Sequence, residues 1–290
     1  MKDKIVVITG GTGGIGKQTA VTLAKMGARI IVTGRSQPSG EAAIAEIKQA
    51  SGNSQIELLL ADVSKQTHIH ALVKQFKTKY ERLDVLINNA GLAASTRQLT
   101  EDGIESNFAV NVVAPFLLTH LLMDSLKASP SARVINLMGG DVPAKLELDN
   151  LQAEHSFDGL KSYSQSKLAM MVVMYEFAQR IQGAKITMNT CYPGQASTNM
   201  TRSVTPEMFP GMMRWIFPLF KWVTRPDGGK SAAKASQSSV YLASSVEVEG
   251  VTGKYYNPKC QATSFSPVAL DSETRQRLWE IVERLANINS

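Results

Sequence analysis

The chain is poor in several features, and each shortage removes a class of protein. Only two cysteines, Cys191 and Cys260, occur in 290 residues, which excludes a disulfide-stapled secreted scaffold and leaves a reducing, cytoplasmic setting as the expectation. Lys and Arg outnumber Asp and Glu by 31 to 25, a net charge of +6. The basic residues never form a run of five or more, so they read as a solvated surface, compatible with anionic small ligands, and no nucleic-acid partner is expected. The longest apolar stretch, Phe108 to Met123, is interrupted by Asn111, Pro115 and His120. It falls short of the roughly 20 residues a membrane-spanning helix needs and reads as a buried helix. The first apolar run opens at Ile5, which leaves no room for a targeting segment. There is no internal repeat or low-complexity tract, and no metal site is expected.

What is present begins at that first run, Ile5 to Gly16, IVVITGGTGGIG. Ile5 to Ile8 is the β-branched stretch of a strand buried on both faces. The glycines that follow lead into a helical segment, Lys17 to Met26. Gly10 lets the chain turn off the strand, Gly14 lets backbone approach a ligand, and Gly16 lets the helix pack against the sheet. The helix N-terminus then offers free N–H groups and a positive dipole end, which suits a pyrophosphate. A bare strand-to-helix connection has the same pattern, so the rest of the chain must decide.

It continues as alternating strands and helices. Strands are expected at Arg29–Thr33, Ile56–Leu60, Leu83–Ile87, Arg133–Leu137, Lys185–Cys191 and Gly253–Tyr256. Helices are expected over 41–50, 65–80, 104–127, 162–182 and, as the final helix, 228–243. That βαβ alternation implies one domain, an α/β Rossmann-type doubly wound parallel sheet with ligands at the carboxyl ends of the strands. The second strand ends at Gly34 and Arg35. A basic residue there accommodates the 2′-phosphate of NADP, where an acidic one would bond the ribose hydroxyl of NAD. NADP is therefore favoured, with Lys17 either a second positive contact or a solvated lysine. Asp62, ending the third strand, either accepts from the adenine amine or caps the next helix. Asn111 is an amide in an apolar helix, which requires its hydrogen bonds to be met. Tyr163 and Lys167, spaced i and i+4, project from one helix face; a lysine cation beside a phenol would lower the phenol's pKa toward neutrality.

Residues 195–226 differ in composition. Met200, Met208, Phe209, Met212, Met213, Trp215, Phe217, Leu219, Phe220 and Trp222 cluster there among prolines, with Arg214, Lys221 and Arg225 beside them. An apolar lid over a lipophilic pocket is the first reading, a membrane-surface patch the second, and ordinary core packing a third.

Taken in order, Thr9-Gly-Gly-Thr-Gly-Gly-Ile-Gly16, Asn88-Asn-Ala-Gly91, Asn111, Tyr163-x-x-x-Lys167 and Pro193-Gly194 closely resemble the short-chain dehydrogenase/reductase family over nearly the whole chain. Gly34-Arg35, the long insertion before Tyr163 and the aromatic segment after Pro193 are most similar to its retinol-dehydrogenase-like members, which often carry an N-terminal membrane anchor. The resemblance implies that Gly10, Thr12, Gly14, Ile15 and Gly16 hold the pyrophosphate side of NADP and Arg35 the 2′-phosphate. Asp62 and Val63 would meet the adenine, and Asn89, Ala90 and Gly91 the adenosine. Pro193, Gly194 and Thr198 would hold the nicotinamide. Tyr163 would be the general acid, Lys167 would hold the ribose and tune Tyr163, and Asn111 would organise a water relay from Lys167. The implied substrate is a lipophilic carbonyl or alcohol, and many relatives form homodimers through the helices bearing Asn111 and Tyr163.

One family residue is missing. The serine that bonds the substrate oxygen lies three residues after the asparagine ending the fifth strand, and Asn136 plus three is Gly139. Losing one such donor costs about 3 kcal/mol, roughly 10² to 10³ in rate. Three readings remain open: a slower or differently specialised reductase in which the substrate, a water, Asn136, Ser162 or Ser164 supplies the donor; reduction of a conjugated C=C bond; or an NADP(H)-binding redox sensor without turnover. If Gly139 is a simple deficit, Gly139→Ser is expected to raise turnover.

Overall fold

The computed structural model describes residues 1–139, 143–198, 204–208, 215–225 and 227–288. Its strands are β1 (Ile5–Ile8), β2 (Arg29–Gly34), β3 (Ile56–Leu60), β4 (Val85–Asn88), β5 (Ala132–Leu137), β6 (Ile186–Cys191), β7 (Tyr255–Tyr256) and β8 (Ala262–Thr263). They form one sheet in the order β3-β2-β1-β4-β5-β6-β7-β8, parallel from β3 to β7, with β8 antiparallel at the edge. The order reverses between β1 and β4, and Val6 pairs with both Ile30 and Val85 across it. A crevice at the carboxyl ends of strands forms at such a reversal.

Alternate residues of each strand feed two cores, one on each sheet face. Val6, Ile8, Ile30, Val32 and Ile87 pack with Leu23 and Ile47 from α1 (Gly14–Lys25) and α2 (Gln37–Ser51) and with Leu242 of α9 (Lys230–Ser244), which follows the short α8 (Phe217–Val223). Val7, Ile31, Leu86 and Val134 pack on the other face with Phe76 of α3 (Gln66–Lys79) and Met171 of α7 (Gly159–Arg180).

Three helical expectations need correction. The first helix begins at Gly14 rather than Lys17, so the last glycines of the turn already belong to its first turn. The segment 104–127 is not one rod. It divides into α4 (Ser106–Phe108), a π-helical turn over Ala109–Val113, α5 (Ala114–Leu121) and α6 (Met123–Lys127). The buried Glu105 carboxylate starts it, accepting from the Asn107 and Phe108 N–H groups at 3.0 and 2.9 Å, and the π-turn centres on Asn111. Finally, the helix over 228–243 is not the last. The chain continues through β8 and α10 (Pro267–Leu270) into α11 (Ser272–Leu285), capped by the Asp271 carboxylate on the Thr274 N–H at 2.8 Å. Leu278, Trp279 and Val282 of α11 are buried. The Trp279 indole meets the rings of Phe116 and Phe177 edge-on at 4.9 and 5.3 Å, and the Arg180 guanidinium lies 4.0 Å over its face. The last described helix is thus bolted to the helix that carries Tyr163.

Candidate active site

The glycine turn is shaped by positions that residues with side chains rarely take. Gly10 and Gly14 have φ of +63° and +50°, the left-handed region that side chains disfavour. A Cβ on Gly16 would lie 2.5 Å from Asn89 Nδ2 and 2.6 Å from the Gly10 carbonyl. Asn89 fixes the turn from β4, donating from Nδ2 to the carbonyls of Thr9 and Gly10 at 2.8 and 3.2 Å. The Thr9 hydroxyl accepts from the N–H groups of Asn89 and Ala90, both at 3.0 Å. The N–H groups opening α1 at Gly14, Ile15 and Gly16 are thereby held at the crevice.

Around it stand the other expected cofactor residues. Thr12 packs on Gly34, where a Cβ would come within 2.7 Å of the threonine methyl, and Arg35 follows as an exposed side chain at the end of β2. Asp62 caps its own turn, its Oδ1 accepting from the Ser64 N–H and hydroxyl at 3.0 and 2.8 Å; Val63 beside it is half-buried and Gly91 exposed. From the β6 side, Pro193 is buried, Gly194 turns with φ of +84°, and Thr198 comes back over the glycine turn, its methyl 3.0 Å from where a Gly14 Cβ would be. Lys17 is not presented to this crevice: its ammonium pairs with Glu46 of α2 at 2.5 Å.

Tyr163 and Lys167 lie on α7 beneath the end of β5, 8% and 3% exposed. Lys167 Nζ donates to the Leu137 carbonyl at 3.2 Å, and burial pulls its pKa down to about 8. The phenol behaves opposite to expectation: burial first, and the neighbouring Tyr192 second, push the Tyr163 pKa upward. The lysine cation is spent on a strand carbonyl, so desolvation wins.

Asn111 joins the parts. Its Oδ1 accepts from the Leu92 N–H at 2.9 Å, and its Nδ2 donates to the Leu92 carbonyl at 2.8 Å and to the Ser166 hydroxyl at 2.9 Å. Ser166 in turn donates to the Tyr163 carbonyl at 2.7 Å. The amide therefore clamps the loop after β4 to the helix turn between Tyr163 and Lys167.

The position of the missing serine is the clearest surprise. An ideal Cβ on Gly139 would lie 2.1 Å from the Tyr163 hydroxyl and 3.8 Å from Lys167 Cε. The phenol occupies the room a side chain at 139 would need. Of the candidate replacements, Asn136 is fully buried in the sheet, accepting on Oδ1 from Asn88 at 2.8 Å. The Ser162 hydroxyl accepts from Asn107 at 3.2 Å, and Ser164 is half-buried. Tyr192, which the sequence reading passed over, follows the β6 residue paired with Leu137 and lies close enough to Tyr163 to affect its titration. Its place just before Pro193-Gly194 was the available signal. Gly140 and Asp141, and Met200, Phe209, Met212, Met213 and Arg214 of the apolar segment, lie outside the described residues.

A glycine turn at the strand-order reversal, with a tyrosine–lysine pair on the opposite wall, is the architecture of a dinucleotide-dependent oxidoreductase. Residues 4–208 match the short chain dehydrogenase family; the chain belongs to this short-chain dehydrogenase/reductase family and is most like its retinol-dehydrogenase-type members. Retinol dehydrogenase 14 of Homo sapiens is 34% identical over 99% of this chain and 88% of its own length. Polyprenol dehydrogenase of Homo sapiens is 34% identical over 96% and 83%. Among solved structures, an uncharacterized protein from Mycobacterium Paratuberculosis superposes with a TM-score of 0.76 at 26% identity, covering 99% of this chain and 94% of that one. A short chain dehydrogenase from Shigella flexneri, solved with NADP, shares the fold at a TM-score of 0.66 and 22% identity, over 89% and 98%. The chain is a NAD(P)-dependent oxidoreductase by family. Among the described residues, no helix is long and apolar enough to cross a membrane.

Proposed function

We propose that the chain is an NADP(H)-dependent oxidoreductase of a lipophilic carbonyl or alcohol, acting in a reducing compartment. The observation that carries this is the placement of the Tyr163 hydroxyl at the carboxyl end of β5, against Gly139, with Lys167 buried one turn behind it. The turn fits a dinucleotide, since Gly10 and Gly14 in the left-handed region present the N–H groups that open α1 at the crevice, and Arg35, exposed at the end of β2, is free to face a 2′-phosphate. Gly10, Thr12, Gly14, Ile15 and Gly16 would hold the pyrophosphate side. Asp62, Val63, Asn89, Ala90 and Gly91 would hold the adenosine, and Lys167, Pro193, Gly194 and Thr198 the nicotinamide riboside. When bound, the nicotinamide supplies or accepts the hydride.

The chain's own part is the proton. A buried phenol pushed upward in pKa keeps its hydrogen on Oη, which suits protonating a carbonyl oxygen as it gains electrons. Asn111 and Ser166 hold that helix turn in place, so the phenol is set before substrate arrives. All the hydrogen-bonding groups of the Asn111 side chain are engaged, and its role in this reading is positioning rather than relay. With no donor at 139, Tyr163 carries the whole burden of the substrate oxygen, and Tyr192 is the nearest phenol able to share it.

Lipophilic specificity is assigned in this reading to an apolar cluster at the start of α7. Val204 and Met208 are buried against Ala93, Leu160, Phe217 and Phe220, and Leu160 lies one helical turn before Tyr163. This packing supports the lid reading of the segment. The test is NADPH consumption over lipophilic aldehydes, ketones and enones by wild type and by Tyr163→Phe. Turnover lost by a factor of about 10³ in the variant is expected, and equal rates in both proteins would remove Tyr163 from the reaction. The best substrate separates carbonyl from alkene reduction.

A further inference from the structure

Reducing a carbonyl places negative charge on one oxygen, and a fixed donor aimed at that oxygen is worth about 10² to 10³ in rate. Position 139 supplies none, so a second donor beside Tyr163 has to come from elsewhere. The three residues that the sequence offered fail on geometry. Asn136 Nδ2 is sealed from solvent inside the sheet, next to Asn88. Ser162 and Ser164 flank Tyr163 on α7, and successive helical residues diverge by about 100°, so neither side chain leaves the helix in the direction of the phenol. The Ser162 hydroxyl also accepts from the Asn107 amide at 3.2 Å.

Tyr192 meets the requirement that they miss. Leu137 of β5 pairs with Cys191 of β6, and the Met138 N–H donates to the Cys191 carbonyl at 2.8 Å. One step further along, Met138 and Tyr192 therefore stand side by side on strands about 4.8 Å apart. Side chains alternate between the faces of a sheet. Leu137 and Cys191 belong to the core that faces α1, α2 and α9, whereas Met138 and Tyr192 both pack into the core on the α7 face. That is the face from which the Tyr163 phenol arrives to fill the space at Gly139, the residue after Met138. After burial itself, the proximity of Tyr192 is what pushes the Tyr163 phenol upward, so the two rings share one electrostatic neighbourhood.

The backbone of Tyr192 is also fixed. Its N–H donates to the Tyr256 carbonyl at 2.9 Å on the β7 side, while the carbonyl of the residue before it holds Met138 on the β5 side. Pro193 restricts the residue preceding it to extended backbone, and Gly194, with φ of +84°, turns the chain away directly afterwards. A donor set by two neighbouring strands and by its own successor is in place before substrate binds, as stabilisation of a developing charge requires. We infer that Tyr192 is a second catalytic donor to the substrate oxygen, delivered from β6 in place of the serine that position 139 of β5's end lacks. The inference rests on the carbonyl-reductase reading above. Tyr163 gives its proton to the oxygen as hydride reaches the carbon; Tyr192 contributes a hydrogen bond only, and no bond to hydrogen breaks there.

The test compares wild type, Tyr163→Phe and Tyr192→Phe, the last of which keeps the ring and removes only the hydroxyl. Over lipophilic aldehydes and ketones, Tyr192→Phe is expected to lose about 10²-fold in kcat, with KM and NADPH affinity within about twofold of wild type, the signature of an interaction made only in the transition state. A merely structural role would move the affinities or the urea midpoint instead. A second readout needs no turnover. With NADP⁺ bound a ketone cannot be reduced, so octanophenone labelled with carbon-13 at its carbonyl forms a dead-end complex whose C=O stretch is read by infrared difference spectroscopy. Each donor to the oxygen lowers that stretch, and it is expected at higher frequency in Tyr192→Phe than in wild type. An unshifted stretch, or wild-type kcat, in Tyr192→Phe while Tyr163→Phe loses turnover would overturn the assignment and leave the reductase reading standing. Equal turnover in all three proteins, or no labelled ketone bound by wild type, would bring down the reductase reading and the assignment with it.

Discussion

The two sides of the sheet's carboxyl rim are built on different principles. The nucleotide side is made of backbone: glycines at φ that other residues avoid, a turn fixed by Asn89 and Thr9 within 3.2 Å, and contacts too close for a Cβ at Gly16. The other side is made of side chains brought from distant segments, Ala93, Leu160, Met208 and Phe217 among them, and of a phenol sitting where the side chain of residue 139 would have been. Backbone geometry tolerates no change, whereas packing tolerates compensation. A glycine means different things on the two sides: at 16 it admits the Asn89 amide and the Gly10 carbonyl that fix the turn, and at 139 it admits the Tyr163 hydroxyl.

That contrast can be broken experimentally. The largest effect should follow Gly16→Ala, because the added methyl meets Asn89 Nδ2 and the Gly10 carbonyl, groups with nowhere to retreat. A loss of NADPH affinity of about 100-fold, with overpacking worth roughly 1–3 kcal/mol of stability, is expected by fluorescence titration and thermal melting; wild-type affinity would show that the turn is softer than its contacts imply.

Next come the substitutions at 139. Since Tyr163 Oη lies 2.1 Å from the position of a Cβ there, Gly139→Ser and Gly139→Ala should both displace the phenol and lower kcat by about tenfold, or about 1.4 kcal/mol. This reverses the expectation from sequence, in which a serine restores a missing donor. A rise in the serine variant alone would reinstate it.

Arg35→Asp should shift the NADPH to NADH preference by about tenfold or more, through the charge facing a 2′-phosphate. An unchanged ratio of Kd values would take Arg35 out of cofactor recognition.

The last effect is read in stability rather than in binding or rate: a pH dependence from Lys167, whose pKa falls from 10.5 to about 8 on burial. The unfolded chain holds that proton to higher pH than the folded one, so this group's contribution to stability rises between about 8 and 10.5. Lys167→Met should therefore be more stable than wild type near neutrality, and its advantage should shrink as pH climbs through that window. Urea midpoints without cofactor measure it, and a constant difference would mean that the ammonium is not desolvated as its surroundings indicate.

Much of this was readable in the chain. Strand runs such as Ile5–Ile8 and Arg29–Gly34 fell where β-branched residues cluster, because strands buried on both faces allow little else. The glycine turn shows in local spacing, whereas Tyr163 and Lys167 stand out only through the resemblance to the family, their i,i+4 spacing being common to many helices. What stayed hidden depends on distance. The i,i+4 spacing placed Lys167 near Tyr163, yet only the fold reveals that Lys167 Nζ is held by the Leu137 carbonyl and that burial governs the phenol. A run of Val, Ala, Phe and Leu reads as one helix and does not announce the π-turn that aims Asn111 at Leu92 and Ser166. Gly139 read as a deletion because a sequence shows a missing side chain but not what fills its place. The α11 helix carries an Asp cap and an apolar stripe at Leu278, Trp279 and Val282, signals strong enough to find, and it lies beyond Tyr256, where the sheet expected from the sequence ends.

The Trp279 contact has a consequence for how the molecule is made. Strands β1 to β4 and their helices draw on the first 88 residues and can begin to assemble early during synthesis, whereas α7 is braced through its own Phe177 by Phe116 and by a tryptophan more than 100 positions after Tyr163. Such distant pairings close late. The half that bears the glycine turn can take shape while the chain is still on the ribosome, but the helix that carries Tyr163 gains its brace only once Trp279 has emerged.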